Sequence, residues 1–180
     1  MQGETSSYSI LVDRHKQNVF GLVYKIVRQK EDAEELAQDV FVRAFEKLDG
    51  FKKHAKFSSW LYRIAYNMSI SSLRKTKLVV DSIDDSLIQN YSEDKIIEEL
   101  EVMCPETREK HLKKAILKLA GQHQIILELY YEKEISTTEI AAIMKLTPSN
   151  VKVKLHRARQ QLFHFLEPAL KNNSNVLTNE

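Results

Sequence analysis

The sequence predicts an all-α protein made of two small helical domains joined by an acidic linker. Apolar residues recur at spacings of three and four over long stretches, which is the signature of amphipathic helices. No stretch alternates Val, Ile and Thr with polar residues as a strand would. The chain has 180 residues with only 4 Gly and 3 Pro, and its 43% hydrophobic content is enough for real cores. This length allows one or two small domains.

The charge pattern divides the chain into three parts. Residues 1–75 carry 13 Lys and Arg against 9 Asp and Glu, residues 76–110 carry 4 against 10, and residues 111–180 carry 10 against 6. Two basic modules joined by an acidic segment indicate partners of negative charge, although the net charge is only +2. The predicted boundaries are a first module over 8–75, an acidic linker over 76–110, a second module over 111–168 and a flexible tail over 169–180.

The first module is expected to contain three helices. Apolar spacing marks the first helix over Val12–Val27. The second is predicted to begin at an Asp32 cap and to end at Gly50, and the third to begin at a Ser58 or Ser59 cap.

A basic and aromatic surface is predicted on the third helix and on the loop before it, residues 51–57. Aromatic rings can stack on unpaired bases at ~1–3 kcal/mol per base while Lys and Arg hold the backbone. An Asn can hydrogen-bond the edge of a base that has left the duplex. This pattern favours binding of separated strands, although Trp60 taken alone fits a core position better than a stacking platform. The polar and aromatic stripe consists of Trp60, Arg63, Asn67, Ser71 and Arg74, with Lys56 and Phe57 just before it.

The second helix has an acidic outer face that would repel DNA. Two interpretations remain open from the residues alone, a docking surface for a basic protein or a solvated helix face. The face consists of Glu34, Glu35, Gln38, Asp39, Val42 and Glu46.

The second module contains a predicted helix-turn-helix. Ser136 and Glu139 have capping-box spacing at the start of a short helix, Thr137–Met144. After a brief turn, Thr147 can cap a longer basic helix whose first residue is Pro148. In a helix-turn-helix the second helix lies in the major groove of DNA. An ordinary helical hairpin with a basic solvated face is the alternative.

This longer helix has two distinct sides. Its outer side mixes positive charge, hydrogen-bonding groups and one apolar residue, a combination that can hold phosphates and read base edges. The predicted buried stripe is Val151, Leu155, Ala158 and Leu162. The predicted outer face is Ser149, Lys152, Val153, His156 and Arg157.

Composition argues against several other classes. With one cysteine, Cys104, no intrachain disulfide is possible, and a reducing compartment is expected. No apolar run approaches the ~20 residues that span a bilayer, and the polar start of the chain lacks a signal-peptide core, so we expect a cytoplasmic protein without membrane insertion. The six His form no metal-binding pair and no Gly-rich phosphate loop is present. We therefore expect no enzyme activity, no cofactor, no metal and no small-molecule substrate.

Three motifs resemble a known family. Residues 32–45 and 57–67 are similar to conserved region two of bacterial sigma factors, and residues 151–159 are similar to region four. The acidic linker in place of a middle domain resembles the extracytoplasmic-function group. The resemblance covers roughly residues 8–75 and 110–166.

This resemblance implies a role in transcription initiation. Such proteins join core RNA polymerase, direct it to promoters and help to open the DNA, and many are held inactive by an anti-sigma protein. The residues matching the polymerase-docking region are Glu35, Gln38, Asp39 and Val42. Those matching the surface for the melted −10 element are Phe51, Lys52, Lys53, Lys56, Phe57, Trp60, Arg63, Ile64, Ala65 and Asn67. Those matching the region that binds the −35 duplex are Ser149, Asn150, Lys152, Val153, Lys154, His156 and Arg157, of which Asn150 and Lys154 would contact phosphates.

The chain departs from the family at two places. Lys52, Lys53 and His54 stand where the family often has an Arg-Gly-Asp-like stretch. Val153 stands where a small hydroxyl residue is common, which favours a thymine methyl over a polar contact.

A stand-alone helix-turn-helix regulator is the alternative function. Such a protein would leave the acidic helix face and the aromatic stripe without a role. A two-component or quorum-type regulator would need an N-terminal α/β domain, which residues 1–75 do not predict.

Overall fold

The computed structural model of the chain describes residues 2–51, 56–75, 98 and 100–177. These residues form helices joined by short connections, and no strand occurs among them. The predicted all-α fold is confirmed.

The described residues of the first module form three helices. They are α1 (Gln2–Val27), α2 (Lys30–Glu46) and α3 (Phe57–Lys75). α2 ends before the predicted Gly50, because a separate 3₁₀ turn, Leu48–Gly50, follows it. Each helix packs on the other two along its apolar face.

Two predicted helix caps are wrong. The N-cap of α2 is Gln29, whose side chain makes no capping hydrogen bond, and Asp32 lies within the first turn. There its negative charge stabilises the positive end of the helix dipole. α3 begins at Phe57, so neither Ser58 nor Ser59 caps it. A cap contributes only about 1 kcal/mol, so packing of the helix can decide where it begins.

Four helices of the second module lie within the described residues. They are α4 (Pro105–Lys118), α5 (Gly121–Leu127), α6 (Thr137–Met144) and α7 (Pro148–Leu177), with a short π-helical turn, Glu128–Glu132, after α5. α6 and α7 form the helix-turn-helix, with the bounds that the sequence predicts for α6.

The described helices extend beyond the boundaries predicted for the second module. Residues 76–97 and 99 lie outside the described part of the chain. Met103 is buried and Pro105 begins α4, so ordered packing starts before residue 111. At the other end, α7 continues through Leu177 and Leu170 is buried. Leu170 extends the apolar stripe of α7, which explains why the helix does not end at 168.

The two modules share one continuous hydrophobic core. α1 and α3 of the first module pack against α5 and α6 of the second. A smaller cluster, which includes Met103, Phe163 and Leu166, joins α4 to α7. Fully buried members of the shared core include Leu22 and Leu61 from the first module and Ile126, Leu129 and Ile140 from the second.

Candidate nucleic-acid interface

A double cap and a tight turn fix the two helices of the helix-turn-helix. Ser136 Oγ accepts a hydrogen bond from Glu139 N at 3.3 Å, and the Glu139 carboxylate accepts one from Ser136 N at 3.4 Å. This is the predicted capping box. Lys145 then takes the left-handed conformation with φ of 57°, and Leu146 N donates to the Ala141 carbonyl at 2.9 Å. This turn sets the angle between α6 and α7.

The start of α7 is held by its own cap and by its buried side. Thr147 Oγ1 accepts a hydrogen bond from Asn150 N at 3.2 Å, and Pro148 occupies the first helical position. Both features are as the sequence predicts. The predicted stripe faces the core, with Val151, Leu155 and Ala158 buried and Leu162 partly buried.

The opposite side of α7 is open to solvent. Val153, an apolar residue, is 48% exposed there. Arg157 and Lys154 are only partly exposed, and Lys154 Nζ donates to Gln122 Oε1 at 3.3 Å. The exposed members of this face are Ser149, Asn150, Lys152, Val153 and His156. The face offers charge for phosphates and mixed chemistry for base edges.

The acidic side of α2 is exposed as well. Val42 is 59% exposed, and beside it the exposed Phe45 ring contacts the Tyr8 ring at a centroid distance of 4.9 Å. An exposed apolar centre bordered by charge is typical of a protein-binding surface. The four predicted docking residues, Glu35, Gln38, Asp39 and Val42, all lie on this exposed surface.

An aromatic cluster occupies the base of α3. The rings of Phe51, Phe57 and Trp60 lie 5.2 to 5.7 Å apart between centroids, and His15 lies 5.6 Å from Phe57. Burial lowers the pKa of His15, and the charge of Arg14 lowers it further. Phe57 and Trp60 also pack against the core, and their ring contacts hold Phe51 beside the start of α3.

The remaining predicted strand-binding residues are not equally accessible. Lys56 and Arg63 are exposed, and Ile64 is partly buried. Asn67 Nδ2 donates to the Arg63 carbonyl at 2.6 Å, so its amide is engaged by its own helix. Ala65 is 0% exposed and faces the core, as its place in the apolar stripe requires, and in this arrangement it has no surface for DNA. Outside the described residues lie Lys52 and Lys53.

A buried charged group between the modules was missed by the sequence analysis. Glu128 is 7% exposed, and its carboxylate lies 2.7 Å from Lys25 Nζ and 3.8 Å from Lys133 Nζ. Lys133 Nζ also donates to Asn18 Oδ1 at 2.8 Å. Burial raises the pKa of Tyr62, and the negative charge of Glu128 raises it further. The signal available in the sequence was a Glu within an apolar run, residues 125–129.

A second polar contact joins the modules at the capping box. Ser59 Oγ, buried in α3, donates to Glu139 Oε1 at 2.9 Å. Burial raises the pKa of Glu139, but hydrogen bonds from Ser59 and Ser136 outweigh it and hold the pKa below its ordinary value. The same carboxylate therefore caps α6 and ties it to the first module.

Two kinds of site are not found in the described part of the chain. No group of three His, Cys, Asp or Glu is placed to hold a metal ion. No helix there combines the length and apolar character needed to cross a bilayer.

The fold and these surfaces define a two-module helix-turn-helix protein, and comparisons place it in a family. The Sigma-70 region 2 family matches residues 11–79, and the Sigma-70 region 4 family matches residues 110–162. The ECF RNA polymerase sigma factor SigW of Bacillus subtilis is 32% identical over 168 residues, covering 89% of each chain. The RNA polymerase sigma factor YlaC of the same organism is 31% identical over 156 residues, covering 84% of this chain and 87% of the relative.

Solved structures share the fold. The sigma factor RpoE from Bartonella quintana, in complex with the anti-sigma factor NepR, matches with a TM-score of 0.63 at 19% identity, covering 89% of this chain and 97% of the other. CnrH in complex with the cytosolic domain of CnrY matches with a TM-score of 0.56 at 21% identity, covering 93% and 92%.

The chain belongs to the extracytoplasmic-function group of RNA polymerase sigma factors. It is an alternative sigma factor, which binds core RNA polymerase and promoter DNA to start transcription. The alternative of a stand-alone regulator is not favoured.

Proposed function

We propose that the acidic face of α2 docks on core RNA polymerase, that α3 with its preceding loop holds the melted −10 strand, and that α7 reads the −35 duplex. The observation that carries this division of labour is the separation of three chemically distinct surfaces on three helices. The acidic face suits a protein partner because it repels DNA, whereas the basic faces of α3 and α7 attract it. The protein would act in the cytoplasm as a specificity subunit, without catalytic chemistry of its own.

The −35 contacts are proposed in two kinds. Lys152, Val153, His156 and Arg157 would face base edges, whereas Asn150 and Lys154 would hold phosphates. Support comes from the exposure of Lys152 and Val153 on one side of a capped helix. Phosphate contacts position such a helix, and base contacts give it specificity.

The −10 contacts are proposed around the aromatic cluster. Lys56 and Arg63 would hold the backbone of the melted strand, and Asn67 would turn from its own helix to a flipped base. Exposure of both cations beside the cluster supports this assignment. Bases can stack on the aromatic rings while the cations attract the phosphate backbone. Both interactions bind unpaired strands with little dependence on duplex geometry.

An anti-sigma protein is the proposed regulatory partner. NepR, which is bound to the sigma factor from Bartonella quintana, is such a protein. The exposed apolar surface at Val42 and Phe45 would suit an apolar residue of an inhibitor as well as it suits polymerase.

The docking assignment is tested with Asp39→Lys. We expect this variant to lose co-elution with core RNA polymerase, because the substitution reverses a charge at the centre of the proposed docking face. Its helical circular dichroism should remain unchanged, since Asp39 is exposed.

The matched control is Asp13→Lys. Asp13 is an exposed acidic residue of α1, 2.9 Å from Lys16, and is not part of the proposed face. This control should bind the polymerase normally. Normal binding of core RNA polymerase by Asp39→Lys would contradict the proposed docking role of this face.

A further inference from the structure

Lys154 lies on the flank of α7, between the buried stripe of this helix and its exposed face. Val151 and Leu155 face the core, Lys152 is exposed, and Lys154 is partly exposed. The major groove of DNA is about 12 Å wide, which is close to the diameter of a helix with its side chains. Residues on the flanks of an inserted helix therefore approach the phosphates that line the groove.

The Lys154 ammonium is held by a side chain from another helix. Lys154 Nζ donates to Gln122 Oε1 at 3.3 Å, and Gln122 lies in α5, 32 positions earlier in the chain. α5 is fixed on α7 by a buried contact, since His123 is 0% exposed and its Nδ1 lies 2.8 Å from Gln161 Oε1. The amide of Gln122 is therefore presented from a helix whose register on α7 is set.

A lysine that is held in place binds a phosphate at a smaller entropic cost than a free lysine. Lys carries its charge on a long, flexible stem, and ordering this stem on DNA loses side-chain entropy. The contact with Gln122 removes part of that freedom before DNA is bound. An ammonium has three N–H donors, so one can remain on Gln122 while the others meet phosphate oxygens.

The neutral side chain of Gln122 suits this role better than a carboxylate would. Several lysines elsewhere in the described chain are paired with carboxylates, as Lys16 is with Asp13 at 2.9 Å. A carboxylate partner offsets the positive charge that attracts a phosphate. An amide oxygen orients the ammonium of Lys154 and leaves its charge available to DNA.

We propose that Gln122 is a positioning residue for recognition of the −35 duplex, where it holds the Lys154 ammonium at the flank of α7 for one phosphate. This inference rests on the proposed roles of α7 and Lys154. Because Gln122 acts through a phosphate contact, it contributes affinity without sequence preference. The DNA-binding machinery thereby extends from the helix-turn-helix to α5.

The experiment measures how core RNA polymerase carrying the full chain binds a duplex with only the −35 element of a promoter that it initiates. The same duplex with a scrambled element gives the nonspecific background, and each Kd is measured over a series of salt concentrations. Gln122→Met keeps the length and helix propensity of the side chain but removes the oxygen that accepts from Lys154. We expect Kd to rise about threefold, because Lys154 must then be ordered on binding. The slope of log affinity against log salt should stay unchanged, because the charge of Lys154 remains.

Two further variants should behave differently from Gln122→Met. Lys154→Met removes the charge, so the slope of log affinity against log salt should become shallower by about 1. Gln122→Glu keeps an oxygen for Lys154 but offsets its charge, so this slope should become shallower as well. In the Lys154→Met background, Gln122→Met should cause no further loss, whereas a purely structural role would cause the same loss in both backgrounds.

The matched control is Gln124→Met, two positions further along α5. Gln124 Nε2 donates to the Leu119 carbonyl at 2.9 Å, so this amide supports the connection between α4 and α5. Gln124→Met should lower the thermal stability and leave both the salt slope and the Kd for the −35 duplex unchanged. Gln122→Met should do the reverse, with its thermal stability unchanged and its Kd raised.

Failure of this inference and failure of the proposed function give different results. If Lys154→Met lowers affinity and slope while Gln122→Met binds like the unmodified protein, or loses affinity equally in both backgrounds, Gln122 is not a positioning residue and the role of Lys154 stands. If Lys154→Met changes neither affinity nor slope, the proposed phosphate contact is refuted together with the inference. A changed base preference in Gln122→Met would also overturn the inference, because Gln122 would then read base edges.

Discussion

Val153 is an apolar side chain held in water at the centre of a charged helix face. Burial of the Val153 side chain would be favourable. It stays exposed because the neighbouring stripe residues Val151 and Leu155 are the ones that face the core. An exposed apolar side chain between Lys152 and His156 can contact the methyl group of a thymine in the major groove. Base preference at one −35 position is therefore expected to depend on this side chain.

Val153→Ala should reduce that preference. Loss of methyl contact is expected to lower discrimination for thymine by about 1 kcal/mol, close to fivefold, at a single position. The measurement is selection from a promoter library randomised across the −35 element. Val102→Ala, an equal truncation at an exposed valine outside α7, should leave the selected sequence unchanged. An identical base profile for both variants would remove Val153 from readout.

His15 links stability to pH at the residue scale. Its pKa is lowered, first by burial and then by Arg14, so the unfolded chain binds the proton more readily than the folded chain. Stability should therefore fall as pH drops through the ordinary histidine range near ~6.5. In His15→Asn the free energy of unfolding, measured with urea from pH 7.5 to 5.5, should lose part of that slope. An unchanged slope would contradict the statement that burial and Arg14 lower the pKa of His15.

Helical spacing predicted which residues of the apolar stripes are buried. The stripe of α7 was predicted from spacing, and its members are buried or partly buried. Spacing placed Ala65 in an apolar stripe, whereas the resemblance placed it at a DNA contact. Ala65 is completely buried in this arrangement, which agrees with the spacing. The engagement of Asn67 by the Arg63 carbonyl could not be predicted, because rotamer choice depends on the local packing.

At the scale of elements, the helix-turn-helix was the most predictable part of the chain. The starts of α6 and α7 each carry a local signal, and each signal is satisfied by a hydrogen bond between residues three positions apart. The starts of α2 and α3 are not marked by a local hydrogen bond of this kind. The caps predicted at Asp32 and at Ser58 or Ser59 were therefore wrong. Packing against neighbouring helices set those boundaries instead.

Thr147→Val tests the cap of the recognition helix. The substitution keeps the β-branched shape but removes the hydroxyl that accepts from Asn150 N, and the loss should reduce stability by about 1 kcal/mol. Fraying of the first turn should also weaken −35 duplex binding, measured by fluorescence anisotropy. Thr138→Val, at an exposed position of α6, should change neither quantity. Equal behaviour of the two variants would show that the cap contributes nothing.

At the scale of the whole molecule, the arrangement of the modules was beyond the sequence analysis. Lys25 and Glu128 are 103 positions apart, and Ser59 and Glu139 are 80 apart. Helical periodicity identifies which side of a helix is apolar but not which other helix covers it. The basic, acidic, basic charge pattern suggested a tether between the modules, whereas the shared core shows them in contact.

Initiation by this protein on a randomised promoter library tests the account most directly. Core RNA polymerase is supplied with the purified chain, and transcripts are mapped to their templates. The account predicts starts at templates that share two separate sequence elements, with the upstream element altered by Val153→Ala and all initiation lost in Asp39→Lys. Transcripts no more selective than those of core polymerase alone would contradict it.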